Sequence, residues 1–460
     1  MVPISYQHLS ELQNILGPKG LTTDKEERLL YSYDAAGRSF MPDAIVFPES
    51  ETQVSQVMAL ANTHGFPVVP RGAGSGMTGG SVPVQGGIVL VMTRMNRILE
   101  IDGQNFTAVV EPGVVVADLH RAVEEKGLFY PPDPASSAVC TIGGNIGECA
   151  GGPRAVKYGV TRDYVLGLRA VVPTGEVIST GVSTAKGVAG YDLTRLIVGS
   201  EGTLAVATRI VLRLLPKPAA VKTMAVFFDR MSLAARTVSE VMKQAVVPRC
   251  VEYLDHPSLE LVRDKLSFEL PDGTTALLIL ELDGSQDAVE KDAAAIEAFC
   301  GDQGALAVIT AKDQAEAAVL WQARKSLSPV LYKIAPHKIN EDIVVPISKI
   351  PEMVDAIGDI QRRSGLTVVS FGHAGDGNIH CNIMYNRQDS DQTLRAHKAV
   401  DELFEKTLAL GGTITGEHGV GITKMKYLPQ EVGATELALM KGIKKVFDPG
   451  SILNPGKIFS

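Results

Sequence analysis

A glycine-dense loop with no helix behind it constrains this chain more than any other feature. Arg71-Gly72-Ala73-Gly74-Ser75-Gly76-Met77-Thr78-Gly79-Gly80 follows an apolar run at Pro67 to Val69 and leads into another at Ile88 to Met92. Such spacing of glycines lets successive backbone N–H groups converge on an anion without interference from Cβ. A Rossmann fold needs its glycine loop to open a helix whose N-terminus meets the pyrophosphate. Here the loop joins strand to strand, which argues against that fold. Just upstream, Ala44 to Phe47 reads as a short strand and Ser50 with Gln53 as a capping box. Val54, Val57, Met58 and Ala61 then form a buried helical stripe that Gly65 stops.

Short β-rich runs continue through residues 102–215, at Ala108 to Val110, Leu168 to Val172, Glu176 to Ser179 and Leu204 to Leu215, until Leu214-Leu215-Pro216-Lys217-Pro218 breaks the pattern. From about residue 219, strand runs such as Lys222 to Phe227 and Thr275 to Leu282 alternate with long polar helical stretches such as Gln286 to Cys300. The expected class is α+β. An N-terminal domain spans 1–218 with its core from about 40, an antiparallel sheet with helices on one face spans 219–415, and a short helical segment spans 416–460. With 460 residues, 45% of them hydrophobic, the chain can fill more than one core.

Lys and Arg number 44 against 52 Asp and Glu, a net charge of −8, with no basic stripe, so nucleic acid is not an expected partner. Apolar stretches fall far short of the ~20 residues that span a bilayer. The start, MVPISYQHLSELQ, has no apolar signal region. A cytoplasmic protein is expected, peripheral to a membrane only through a partner subunit. Cys140, Cys149, Cys250, Cys300 and Cys381 include no CxxC, so neither a disulfide framework nor an iron–sulfur cluster is indicated.

Two further glycine clusters lie in the first domain: Gly143-Gly144-Asn145-Ile146-Gly147, with Gly151-Gly152 after it, and Gly199-Ser200-Glu201-Gly202-Thr203-Leu204. Three such loops with Ser, Thr and Asn donors in one domain suit a diphosphate-bearing cofactor. In the second domain, Leu366 to His373 and Ile379 to Tyr385 read as strands of a hairpin turning at Ala374-Gly375-Asp376-Gly377-Asn378. The turn lets His373 and His380 converge, and strand alternation puts Asn382 on the face of His380. Gly416-Glu417-His418-Gly419 adds a carboxylate beside an imidazole. Two histidines and one carboxylate, His373, His380 and Glu417, suit a divalent metal such as zinc or manganese, leaving His418 as a base.

PRGAGSGMTGG, PPDPASSAVCTIGGNIGECAGGPRAVKYG and VGSEGTLAV resemble the FAD-binding domain of the vanillyl-alcohol oxidase, or PCMH-type, superfamily. With GHAGDGNIH, GEHGVG and LNPGKIF, the likeness extends over nearly the whole chain to the D-lactate dehydrogenase and glycolate oxidase D-subunit branch. It implies that Arg71, Gly72, Gly74, Ser75 and Gly76 cradle the FAD phosphates. Thr141, Gly143, Gly144, Asn145 and Gly147 would line the flavin, and Glu201, Gly202, Thr203 and Asn454 would complete the site. Ser75 stands where covalently flavinylated members carry histidine, so noncovalent FAD is implied; Cys149 stands where relatives often have asparagine.

The implied reaction is oxidation of a D-2-hydroxy acid to the 2-oxo acid. His418 would take the hydroxyl proton and FAD the hydride. Trp321-Gln322-Ala323-Arg324 resembles a W-x-x-R segment of the branch, and Arg324 suits a substrate carboxylate because a guanidinium offers paired donors. Ser328, one helical turn on, and Lys338 and Asn382 are further substrate candidates, with Asn340 beside them. Electrons would leave to an electron-transfer flavoprotein, an iron–sulfur subunit, a quinone or a cytochrome. Two rival classes are a noncatalytic FAD-binding subunit, which should lack the metal ligands and base, and a metal-dependent hydrolase, which would need no flavin.

Overall fold

The structure, a computed structural model, describes residues 3–184, 186–266 and 268–459. Its contacts divide the chain into two units: Met1–Gly151, Gly159–Lys217 and Glu417–Ser460 form the first, and Gly152–Tyr158 with Pro218–Gly416 the second.

In the first unit, a small sheet runs in the order Leu21–Thr22, Ala44–Val46, Ile88–Val91, Val68–Arg71. The last three strands are parallel, with Ala44–Val46 and Val68–Arg71 flanking Ile88–Val91. The crossover helix Glu51–His64 buries Val54, Val57, Met58 and Ala61, and Gly65 ends it in a left-handed conformation. Ser50 caps it by accepting from the Gln53 N–H, but the Gln53 side chain accepts from the Glu49 N–H instead of completing the box at Ser50. Ile452 and Leu453, from the far end of the chain, join the same core.

A five-stranded antiparallel sheet completes the unit, in the order Ile98–Asp102, Thr107–Val110, Val206–Arg213, Val165–Val171, Val177–Gly181. Its middle strand arrives about a hundred residues after the neighbour it pairs with at Val110. The helical parts of 417–460 are Leu428–Glu431 and Ala434–Phe447.

The second unit is built on a seven-stranded antiparallel sheet, in the order Ala307–Thr310, Ala220–Phe228, Ala276–Gly284, Cys250–Leu254, Val368–His373, Asn378–Tyr385, His337–Val344. The long helices Met231–Val241, Gln286–Asp302, Ile350–Ser364 and Ser390–Ala409 pack on it and on one another. The opposite face is not bare. Ala225, Phe227, Leu254, Ile279, Val369 and Phe371 form a core there with Leu259 of His256–Val262 and with Leu320 and Ala323 of Gln314–Lys325. A second, shorter helical layer is thus added to the one face of helices that the polar periodicity implied, and buried residues in both side-chain rows of Ala220–Phe228 follow from it. The segment Gly152–Tyr158 belongs here through Tyr158, whose hydroxyl donates to Asp283 at 2.7 Å. Among the described residues, no helix is long and apolar enough to cross a membrane.

Candidate active site

The first glycine loop leaves the strand Val68–Arg71 at its C-terminal end, the position at which open parallel sheets bind ligands. Arg71 is buried, and its guanidinium folds across Gly74, whose backbone is left-handed at φ +72°. Burial lowers the pKa of Arg71, with Asp34 and Tyr31 opposing the shift. A Cβ on Gly72 would lie 2.3 Å from Thr141 Oγ1, so glycine there allows the two loops to touch. At Gly76 the nearest atom to such a Cβ, Glu148 Oε1, is 3.8 Å away, and at Gly147 it is the Gly202 nitrogen, also at 3.8 Å. Protein packing does not require glycine at those two places.

Residues 143–147 form no loop: Ile142–Glu148 is a short helix, capped by Thr141, whose Oγ1 accepts from the Gly144 N–H at 3.3 Å. Glycine in a helix interior costs about 1 kcal/mol against alanine. Local preference therefore pointed away from a helix, and Ile142, Asn145 and Ile146, all buried, anchor it by packing instead. The backbone of Cys149 is left-handed where the helix ends, and burial raises its thiol pKa.

Glu201, itself left-handed at φ +52°, spends its buried carboxylate on the last segment, accepting from the N–H groups of Val420 at 2.8 Å and Gly421 at 2.7 Å. Asn454 donates to the carbonyls of Gly80 and Glu201 at 2.9 and 2.8 Å, and accepts from Lys457 at 3.0 Å. Both residues thus hold the glycine loops and the Glu417–Gly421 loop in one arrangement. Gly202 is left-handed beneath Pro70, and the Thr203 hydroxyl donates to the Ser200 carbonyl. Within this unit Glu417 lies beside Gly151, and the His418 carbonyl accepts from Thr78 Oγ1 at 3.0 Å.

Sequence reading missed Glu148, which is near Gly76, Gly80 and Gly419. Burial, then the charge of Glu201, pushes its carboxyl well above the usual carboxylate range. Arg71 Nε, Asn145 Nδ2 and Glu148 Oε2 are buried without hydrogen-bond partners. Unpaired buried donors and an acid beside glycines that packing does not demand fit a polar ligand such as FAD.

In the second unit, one face of the sheet gathers the other candidates. His373 and His380 lie on adjacent strands across the expected hairpin, which turns through left-handed Gly377. Their rings meet edge to face with Nε2 atoms 3.3 Å apart. His373 Nδ1 is hydrogen-bonded to Glu252 Oε1, and His380 Nδ1 lies 3.7 Å from Asp342 Oδ1. Register explains both: Glu252 is directly opposite His373, and Asp342 opposite His380. Asp342 also accepts from Asn378 Nδ2 at 2.6 Å and from the Gly416 N–H at 2.9 Å. Two nitrogen ligands about 2.0–2.1 Å from a tetrahedral zinc lie roughly 3.3–3.4 Å apart, and carboxylates commonly back such imidazoles. The pair therefore fits a metal ion.

Asn382 is wholly buried, accepting from Asn340 Nδ2 at 2.7 Å and donating to the Val369 carbonyl at 3.3 Å. Arg324 is buried as well: Nε and Nη2 converge on Glu252 Oε2 at 2.8 and 2.6 Å, and the guanidinium stacks over Phe371 at 4.7 Å. Ser328 does not continue the helix of Arg324. That helix ends at Lys325, and Ser328 sits in the short helix Leu327–Val330 that follows it after Ser326, where Lys338 Nζ reaches its Oγ at 2.7 Å. Burial lowers the Lys338 pKa to about 8. Arg324, Ser328, Lys338, Asn340, Asn382, His373 and His380 thus all belong to one unit, whereas Glu417 and His418 belong to the other. Glu252 and Asp342 escaped sequence reading; the acid inside the apolar run Cys250-Val251-Glu252-Tyr253-Leu254 was the available signal.

Residues 42–181 match the family described as FAD binding domain, and residues 217–458 match FAD linked oxidases, C-terminal domain. The chain belongs to the FAD-linked oxidase family. It is accordingly an FAD-dependent oxidoreductase. Glycolate oxidase subunit GlcD of Bacillus subtilis (strain 168) is 46% identical over 451 residues, 98% of this chain and 96% of that protein. A D-lactate dehydrogenase of Anaerostipes hadrus is 36% identical over 430 residues, 91% of this chain and 89% of that one. Among solved structures, p-cresol methylhydroxylase with substrate bound superposes with a TM-score of 0.81 at 20% identity, covering 98% of this chain and 96% of that one, which bears out the PCMH-type fold.

Proposed function

We propose that this oxidoreductase dehydrogenates a D-2-hydroxy acid of the glycolate or lactate class to the 2-oxo acid, with zinc or manganese assisting and an external acceptor taking the electrons. The observation that carries this reading is the pair of buried imidazoles whose Nε2 atoms meet at 3.3 Å, on the sheet face that also bears Lys338 and Asn382 and that Arg324 covers from the helix Gln314–Lys325. The relatives named glycolate oxidase and D-lactate dehydrogenase support the substrate class.

The residues of the glycine loops would hold FAD noncovalently, and the bound flavin would supply the hydride acceptor for oxidation at the substrate α-carbon. His373, His380 and Glu417 would be the ligands of a divalent ion, which would make the substrate hydroxyl more acidic. Arg324 and Lys338 supply cations for the substrate carboxylate. Glu252 fixes the orientation of the Arg324 guanidinium through Nε and Nη2, which leaves its Nη1 edge to the ligand. Ser328 steadies the Lys338 ammonium, and Asn382, pinned by Asn340 and Val369, presents a fixed amide beside His380. His418 receives the hydroxyl proton on an imidazole nitrogen. Electron-transfer flavoprotein, an iron–sulfur subunit, a quinone and a cytochrome are the acceptor classes to assay.

Anaerobic addition of D-lactate, L-lactate, glycolate and D-2-hydroxyglutarate to the purified yellow enzyme tests the reading. Bleaching of the flavin band by a D-acid or glycolate, lost after chelation and restored by zinc or manganese, is the expected result. A flavin that no 2-hydroxy acid reduces, with either metal supplied, would sink the proposal.

A further inference from the structure

Glu252 lies in the middle of a buried strand, fully enclosed, between Val251 and Tyr253, which are also buried. An ionised carboxylate in such a place is costly unless every oxygen is paired. Both oxygens are, and with two different kinds of partner. Oε1 takes His373 Nδ1, while Oε2 takes Nε and Nη2 of Arg324. One side chain therefore joins an imidazole of the metal pair to the cation meant for the substrate carboxylate.

We infer that Glu252 is a positioning residue that couples the two halves of this site: it sets the tautomer and ring angle of His373 and the orientation of Arg324 at once. The inference rests on the metal-assisted reading above. An acceptor at Nδ1 keeps the proton there, so Nε2 presents its lone pair toward the face it shares with His380. The same carboxylate restrains Arg324 against rotation about its terminal torsions, so its outer edge is oriented before a ligand arrives. His373 lies opposite Glu252 in the strand register, and Arg324 reaches it from the helix Gln314–Lys325. Neither partner can relax toward its own ligand without moving the other.

The amide Glu252→Gln separates this role from mere space filling. It matches glutamate in shape but has one acceptor oxygen and one donor group, so it cannot accept from both partners. Arg324 has only donors, whereas a neutral imidazole can accept at Nδ1 by moving its proton to Nε2. The amide oxygen will therefore face Arg324, its NH2 will face His373, and the Nε2 lone pair will be lost to a proton. Glu252→Asp keeps two acceptors and loses a methylene.

The test is zinc and manganese affinity of the FAD-loaded enzyme by chelator competition, with KM for D-lactate and thermal unfolding measured alongside. Glu252→Gln should weaken metal binding about 10–100-fold, with a smaller change in KM. The expected order of affinity is wild type, then Glu252→Asp, then Glu252→Gln. If Glu252 only fills space, the order of the variants reverses, because the isosteric amide then behaves like wild type; that result, or unchanged metal affinity in both, would overturn the inference. Should the amide variant fail to fold, the aspartate variant carries the test, and metal affinity equal to wild type would refute it. A wild-type enzyme that binds neither metal instead removes the underlying reading, and shows it before any substitution is made.

Discussion

Asn454→Ala offers the sharpest check on how the first unit is held together. The side chain is 2% exposed and makes three hydrogen bonds, donating to the Gly80 and Glu201 carbonyls and accepting from Lys457. At about 1 kcal/mol each, their loss costs roughly 3 kcal/mol. The backbone is left-handed at φ +44°, which asparagine tolerates and alanine does not, adding about 1 kcal/mol. The total, about 4 kcal/mol, corresponds to a melting shift on the order of 10 °C at roughly 2–4 °C per kcal/mol. The assay is thermal unfolding of FAD-stripped protein by far-ultraviolet circular dichroism, so that cofactor contacts do not enter. Asn454→Gly serves as the control and should recover the backbone part, about 1 kcal/mol. If stripped Asn454→Ala melts within about 1 °C of wild type while FAD affinity falls, Asn454 acts on the cofactor and the stapling argument fails.

Gly76→Ala and Gly143→Ala should part company. A Cβ at 143 would lie 2.6 Å from Pro112 Cβ and 3.0 Å from its carbonyl oxygen, so that variant should lose about 1–3 kcal/mol as apoprotein. At 76 only Glu148 Oε1 at 3.8 Å is near, so stripped protein should keep its stability and lose FAD affinity, as read by flavin fluorescence on titration. Lys338, lowered to about 8 by burial, predicts a pH response. Its folded pKa lies below the unfolded value of about 10.4, so the folded state binds fewer protons between them and stability rises with pH across that window. Lys338→Met should raise the melting temperature at pH 7 and flatten that rise. Substrate affinity should fall in wild type as pH passes about 8 and be weak at every pH in Lys338→Met, read as KM against pH.

Patterning made several elements legible. The stripe Val54, Val57, Met58 and Ala61 is the buried face of Glu51–His64, and Gly65 is its left-handed cap, because a 3.6-residue repeat and a glycine stop are local signals. Asp-Gly turn chemistry between two apolar runs likewise gave the hairpin that joins His373 to His380. Ile142–Glu148 was not legible as a helix, because three glycines oppose it and only burial of Ile142, Asn145 and Ile146 supports it. The helix of Arg324 was expected to reach Ser328, yet the chain turns at Ser326 and gives Ser328 to Lys338.

What the sequence determined by itself was the class of local structure, the family, and the residue types able to bind a cofactor and a metal, since these depend on periodicity, turn chemistry and short motifs. Tertiary structure alone decided which distant residues stand together. Val206–Arg213 completes a sheet begun at Thr107–Val110, and Asn454 joins Gly80 and Glu201. Glu252 meets His373 and Arg324 from strand register and helix packing. The reason is physical: no local preference marks an acid in an apolar strand as paired, because its partners lie 121 and 72 residues away and are supplied only when the sheet and its covering helices close.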